Sequence, residues 1–272
     1  MSNPLVNDKA LTKASEAGWA APDAAAQSRS TRIDSLPMTD GPISSWTPKV
    51  MTVAGTASAT GVLFVILLAA ATVGWMQTDS RSNQFPGLAI VGVIVGLACV
   101  FALMFRPLWA RFLAPVYAIA QGFFVGVISK AYNDFQNGIV VQAAGATIAT
   151  FVVMLVLYRT NIIKVTDRFR KIVVGATLGV MLLYVVSFVI SLVAGSGSVS
   201  FLNSPSVFGI LFSVFVCGLA AMNLALDFDF IEKGSKAGMP KGMEWYAAFG
   251  LLVTVIWLYL EILRLLSKLD RR

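Results

Sequence analysis

The chain is predicted to be an all-α polytopic membrane protein with seven transmembrane helices, and three observations predict it. Of its 272 residues, 57% are hydrophobic and 13% charged, against roughly 45–50% and about 25% in an ordinary soluble domain. The mean hydropathy is +0.77. The apolar residues fall into seven runs, each near the length of about 20 residues that a helix needs to cross a bilayer.

The first element is a polar tail, residues 1–49, rich in Ala, Ser, Asp and Pro, with five Lys/Arg balanced by five Asp/Glu. Such a composition buries too little apolar surface to offset chain entropy, so the tail is expected to be disordered and cytoplasmic. It lacks the charged start, short apolar core and cleavage site of a signal peptide. Trp19, in Gly18-Trp19-Ala20-Ala21-Pro22, is its one candidate docking spot, set against the preferred reading of a passive tail. Residues 50–272 then form the transmembrane domain.

The runs lie near Met51–Val73, Gly87–Phe105, Phe112–Ser129, Ile139–Tyr158, Ile172–Val193, Val207–Leu226 and Trp245–Leu266. The third is the weakest pattern, because Pro115, Gln121 and Gly122 interrupt it; proline is tolerated in a membrane helix where neighbours satisfy the freed backbone groups. Gly92 with Gly96, and Gly175 with Gly179, have the small-xxx-small spacing that suits close helix packing. Gln121, Gln142 and Thr254 are expected to act as interhelical hydrogen-bonding groups. Cys99 and Cys217 sit inside apolar runs, as small buried hydrophobes do.

Orientation follows from the basic residues. The tail and the 2–3, 4–5 and 6–7 connections hold 15 Lys/Arg, whereas the 1–2, 3–4 and 5–6 connections hold two, Arg81 and Lys130. The positive-inside rule puts the N-terminus in the cytoplasm. Arg264, Lys268, Arg271 and Arg272 dissent, and a re-entrant last segment is the alternative they raise. The net charge of +7 therefore reports topology, not nucleic-acid binding.

The chain has no histidine, which removes Ser-His and Cys-His catalysis and most zinc sites. There is no phosphate-binding loop of Walker type, and no complete catalytic constellation. The reading is non-enzymatic, without cofactor or resident metal.

The chemistry-bearing residues are carboxylates at the edge of hydrocarbon, where a charge placed centrally costs about 2.5–3.5 kcal/mol. In Asn223-Leu-Ala-Leu-Asp227-Phe-Asp229-Phe-Ile231, Asn223 and Asp227 share a helical face, while Asp229 is turned about 200° away. Asp227 is expected to face the bundle, and Asp229, three before Glu232, to reach headgroup water. Run two ends at Arg106 at the depth where run six ends at Asp227, which nominates an Arg106–Asp227 ion pair; the alternative is that Arg106 is an interfacial anchor. Glu261 and Arg264, three apart, are expected to pair along the last helix.

At these residues the chain resembles the Bax inhibitor family, in its bacterial YccA-like branch. The shared landmarks are Ala114-Pro115-Val116-Tyr117 followed by Gln121-Gly122, Asp227 with Ile231 four later, and Glu261-Ile262-Leu263-Arg264-Leu265-Leu266. Arg106 stands eleven residues before Tyr117. The resemblance covers roughly residues 50–268. It implies six helices wrapped around the C-terminal one, in a bacterial plasma-membrane protein. It also implies a calcium or other cation leak, gated by protonation of an acid pair between helices six and seven and latched by an arginine on helix two. Asp227 takes the place of the helix-six acid and Arg106 that of the latch. Counting back from Ile262-Leu263-Arg264 puts Thr254 where the second acid belongs; Glu261, the nearest acid, lies two turns or about 10 Å further on.

Two carboxylates in contact titrate as a coupled pair, and Thr254 opposite Asp227 removes that coupling. One carboxylate, Asn223 and a hydroxyl are also a thin set for calcium, which takes about six to eight oxygens. The competing expectation is a non-conducting regulator that binds a membrane protease through the tail.

Overall fold

The computed structural model describes residues 50–78, 87–194 and 206–271. The tail and Trp19 lie outside them. Seven α-helices run through the described residues: α1 (Val53–Gln77), α2 (Gly87–Phe105), α3 (Ala110–Phe135), α4 (Ile139–Arg159), α5 (Asp167–Ala194), α6 (Val207–Lys236) and α7 (Met243–Asp270). A short 3-10 turn, Pro107–Trp109, joins α2 to α3. Six of the seven are long and apolar enough to cross a membrane. The remaining one, α2, is an apolar helix of 19 residues, or about 28 Å at 1.5 Å per residue.

Local chemistry sets the helix ends. Thr52 caps α1 by accepting the Gly55 amide at 2.9 Å, and Ser206 caps α6 by accepting that of Gly209 at 3.2 Å. Beyond Lys236, Gly238 takes a left-handed φ of 64°, and the Met239 amide donates back to the Gly234 carbonyl at 3.1 Å. That is the return a glycine permits at a helix C-terminus. α3 passes through Pro115 unbroken and runs six residues beyond Ser129. α6 runs ten residues beyond Leu226. Asp227, Asp229 and Glu232 thus stand within a continuous helix, not past its end.

Long-range bonds fix the alternation of directions. The start of α1 meets the start of α7 through Thr52 and Glu244, and the Met51 amide donates to Met239 just after α6 at 2.7 Å. At the same end, Tyr158 of α4 donates to Glu232 of α6, and Arg170 of α5 to Asp229 of α6. At the opposite end, Lys268 of α7 donates to Gly209 of α6. We call the first the basic end, since it carries Arg159, Arg170, Lys233 and Lys236.

The last helix occupies the centre. In its most apolar stretch 50% of residues are buried, against 11% in α5. α7 packs directly against α1, α3, α4 and α6, while α2 lies chiefly on α3 and α5 on α6. The wrapping is therefore two-tiered. Leu178, Leu182, Val185 and Phe188 of α5 are exposed, an outward apolar surface that suits lipid and not water.

Close backbone approach makes α1 and α3 an intimate pair. A Cβ on Gly126 would strike the Ala71 carbonyl, and one on Gly122 the Leu67 carbonyl; here glycine is required for proximity. Gly92 and Gly96 do face α3, against Ala120 and Gln121. Gly175 and Gly179 do not serve as expected, since a Cβ on either meets nothing within 4 Å. They sit on α5, where much of the surface has no protein neighbour. Gln121 donates to the Gly92 carbonyl at 3.5 Å, whereas Gln142 is exposed.

Candidate functional site

α6 is sandwiched between α5 and α7, which decides the fate of its two aspartates. Asp227 points at α7. Its Oδ1 would lie 3.7 Å from a Cβ on Gly250, and Gly250 itself leaves that space open. The Thr254 hydroxyl interacts with the same carboxyl, and also donates to the Gly250 carbonyl at 3.2 Å. The other oxygen, Oδ2, is buried and has no hydrogen-bond partner among the described residues. Thr254 does stand opposite Asp227, the position that the family resemblance implies.

Asp229, turned to the opposite face, is not in headgroup water. It is 5% exposed, and its Oδ2 accepts from Arg170 at 2.6 Å and from Lys233 at 2.8 Å. The 200° rotation was correctly read but its consequence was not, because α5 covers the face that was assigned to solvent. Glu232 also finds its own partners, Tyr158 at 2.6 Å and Lys236.

Arg106 does not meet Asp227. It follows the last residue of α2, its side chain is exposed, and it forms no ion pair among the described residues. Equal depth did not make the two neighbours: α2 packs on α3 and not on α6. Asn223 likewise turns from Asp227, donating to Thr177 of α5 at 2.8 Å and to the Leu219 carbonyl at 2.9 Å.

The Glu261–Arg264 pair forms at 3.3 Å and is larger than a local contact. Tyr184 of α5 donates to Glu261 at 2.9 Å and accepts from Arg264 at 3.0 Å. Arg264 also stacks over the Tyr184 ring, 5.1 Å from its centroid. One turn further, Lys268 is 3% exposed and donates to Ser213 at 2.8 Å and to the Gly209 carbonyl at 3.1 Å. Sequence reasoning placed Lys268 at the end of the span and missed this; its spacing of seven from Glu261 was the available signal. Glu244, 4% exposed, was missed as well. It accepts from the Thr52 amide and hydroxyl, each at 3.0 Å, a contact between residues 192 apart that no local pattern reveals.

Gly250, Thr254, Trp257, Glu261, Arg264 and Lys268 recur at steps of four and three, so they form one stripe along α7. The stripe follows the seam with α6. Two groups on this seam lack partners among the described residues, the acceptor Asp227 Oδ2 and the donor Trp257 Nε1. A buried polar atom left unsatisfied costs about 1–3 kcal/mol, more when charged.

A family model described as Bax inhibitor 1 like matches residues 3–271. No curated protein matches the chain.

Proposed function

The chain belongs to the Bax inhibitor 1 like family and is a multi-pass integral membrane protein; from that premise we propose that it is a slow cation leak whose controlling residue is Asp227. The observation that carries this reading is the buried Asp227 Oδ2, unpartnered between α6 and α7. Intramembrane acids are costly, and one without a partner is by default a functional candidate. Thr254 and Gly250 set the position of the carboxyl, one by contact and the other by leaving room. With Arg106 remote, control rests on the occupancy of Asp227 by a proton or cation instead of on a latch from α2. Calcium is the cation that family membership favours, and the single carboxylate suits transient passage, since tight sites gather more oxygens. The role is non-enzymatic. The excess of Lys and Arg at the basic end supports a cytoplasmic N-terminus, and the resemblance to the family's bacterial branch supports a bacterial plasma-membrane location.

Purified protein in liposomes tests the reading. Calcium entry should exceed that of empty liposomes, and Asp227→Asn should alter its rate or its response across a pH series. If wild-type and empty liposomes are indistinguishable at every pH, the leak is refuted.

A further inference from the structure

A crevice of about 540 Å³ opens at the perimeter between α1 and α4 near the basic end. That volume lies within the range of about 300–1,000 Å³ found for small-molecule sites. Thr56, Thr60, Phe228, Ile231 and Leu251 form its buried floor, and Ala57, Gly61, Leu155 and Arg159 its exposed rim. The space exists because α1 offers small residues there: a Cβ on Gly61 would meet nothing within 4 Å.

The floor is chemically apolar despite its two threonines. Thr56 donates to the Thr52 carbonyl and Thr60 to the Thr56 carbonyl, each at 2.9 Å, so neither hydroxyl has a proton left to donate to an occupant. Polar groups gather instead at one end. There Tyr158 is held to Glu232, Lys236 pairs with Glu232, and exposed Arg159 has no ion-pair partner among the described residues. The crevice is thus a hydrocarbon slot whose polar end holds Glu232, its charge offset by Lys236, and the exposed Arg159, which acts on Glu232 electrostatically without an ion-pair contact to it.

We propose that this crevice binds one anionic phospholipid, with an acyl chain along the floor and its phosphate against Arg159. A partner helix would fill the slot but would leave the charge at its end unexplained. A lipid matches both halves, since its tail runs toward the membrane interior and its anionic head meets the guanidinium. The floor residues Phe228 and Leu251 directly follow Asp227 and Gly250 in sequence, so the lipid packs on the same helical turns that hold the buried acid. Binding does not depend on the leak reading.

Native mass spectrometry of the full chain in mild detergent, offered equal phosphatidylglycerol and phosphatidylcholine, tests this. A single-lipid adduct favouring phosphatidylglycerol is expected. Arg159→Gln should cut that preference about fivefold, the worth of one basic residue near an anionic head. Gly61→Phe should lower retention of both lipids about tenfold, by displacing buried methylenes. Leu155→Trp, from the opposite rim, repeats that test should Gly61→Phe fail to fold. Equal binding of the two lipids, unchanged by these variants, overturns the proposal. So does a dimer that Leu155→Trp or Gly61→Phe dissolves, which would assign the crevice to a second copy.

Discussion

Asp227 and Asp229 are the same residue type two positions apart on one helix, and they have opposite circumstances. Asp229 holds two cations on a single oxygen and ties α5 to α6. Asp227, facing α7, keeps a buried oxygen without a partner among the described residues. A paired acid between helices is explained by architecture alone. An unpaired one is not, because substitution by an uncharged residue would relieve the cost. The difference teaches that burial alone does not single out an acid in this bundle, since Asp229 is buried and fully accounted for by its partners; the proposed leak rests on burial without a partner.

The comparison breaks if the two acids respond alike to substitution. The largest effect on stability is expected for Asp229→Ala, a loss of about 1.5–3 kcal/mol, the range for hydrogen bonds to charged groups. Both cations are partly exposed and regain water when released, which keeps the loss below that of a fully buried pair. Unfolding in detergent, followed by circular dichroism, measures it. Arg170→Gln comes next, at about 1 kcal/mol, because Lys233 remains on Asp229. Asp227→Asn should lie within about 0.5 kcal/mol of wild type or be slightly more stable, since it removes a charge that has no counter-ion. A loss as large as that of Asp229→Ala would show Asp227 to be structural too. Arg106→Gln should change neither stability, within about 0.5 kcal/mol, nor cation flux. A strong flux effect there would restore the latch from α2 that the geometry withholds.

Much of the fold was legible because hydrocarbon leaves so few options. A run of about 20 apolar residues becomes a helix, and the seven runs were found with their order and approximate ends. What failed was neighbour choice. Arg170 belongs in sequence to the basic 4–5 connection that sets orientation, yet it reaches Asp229 across 59 positions. Arg106 was matched to Asp227 by depth along the membrane normal, and depth carries no information about which helices touch. From the sequence, the sixth run ends at the first carboxylate, although no proline follows before the Gly238 turn and the helix continues through Gly234 to Lys236. The position of Thr254 opposite Asp227 comes from the family resemblance, by counting back from Ile262-Leu263-Arg264, and not from spacing within this sequence.

Calcium flux into liposomes, compared between Asp227→Asn and Asp229→Asn at equal amounts of folded protein, tests the central claim most directly. Asp227→Asn should change the flux per molecule or its response to pH, while Asp229→Asn leaves both as in wild type. An unchanged Asp227→Asn, or an equal change in the two variants, would contradict the assignment of the leak to the unpartnered acid.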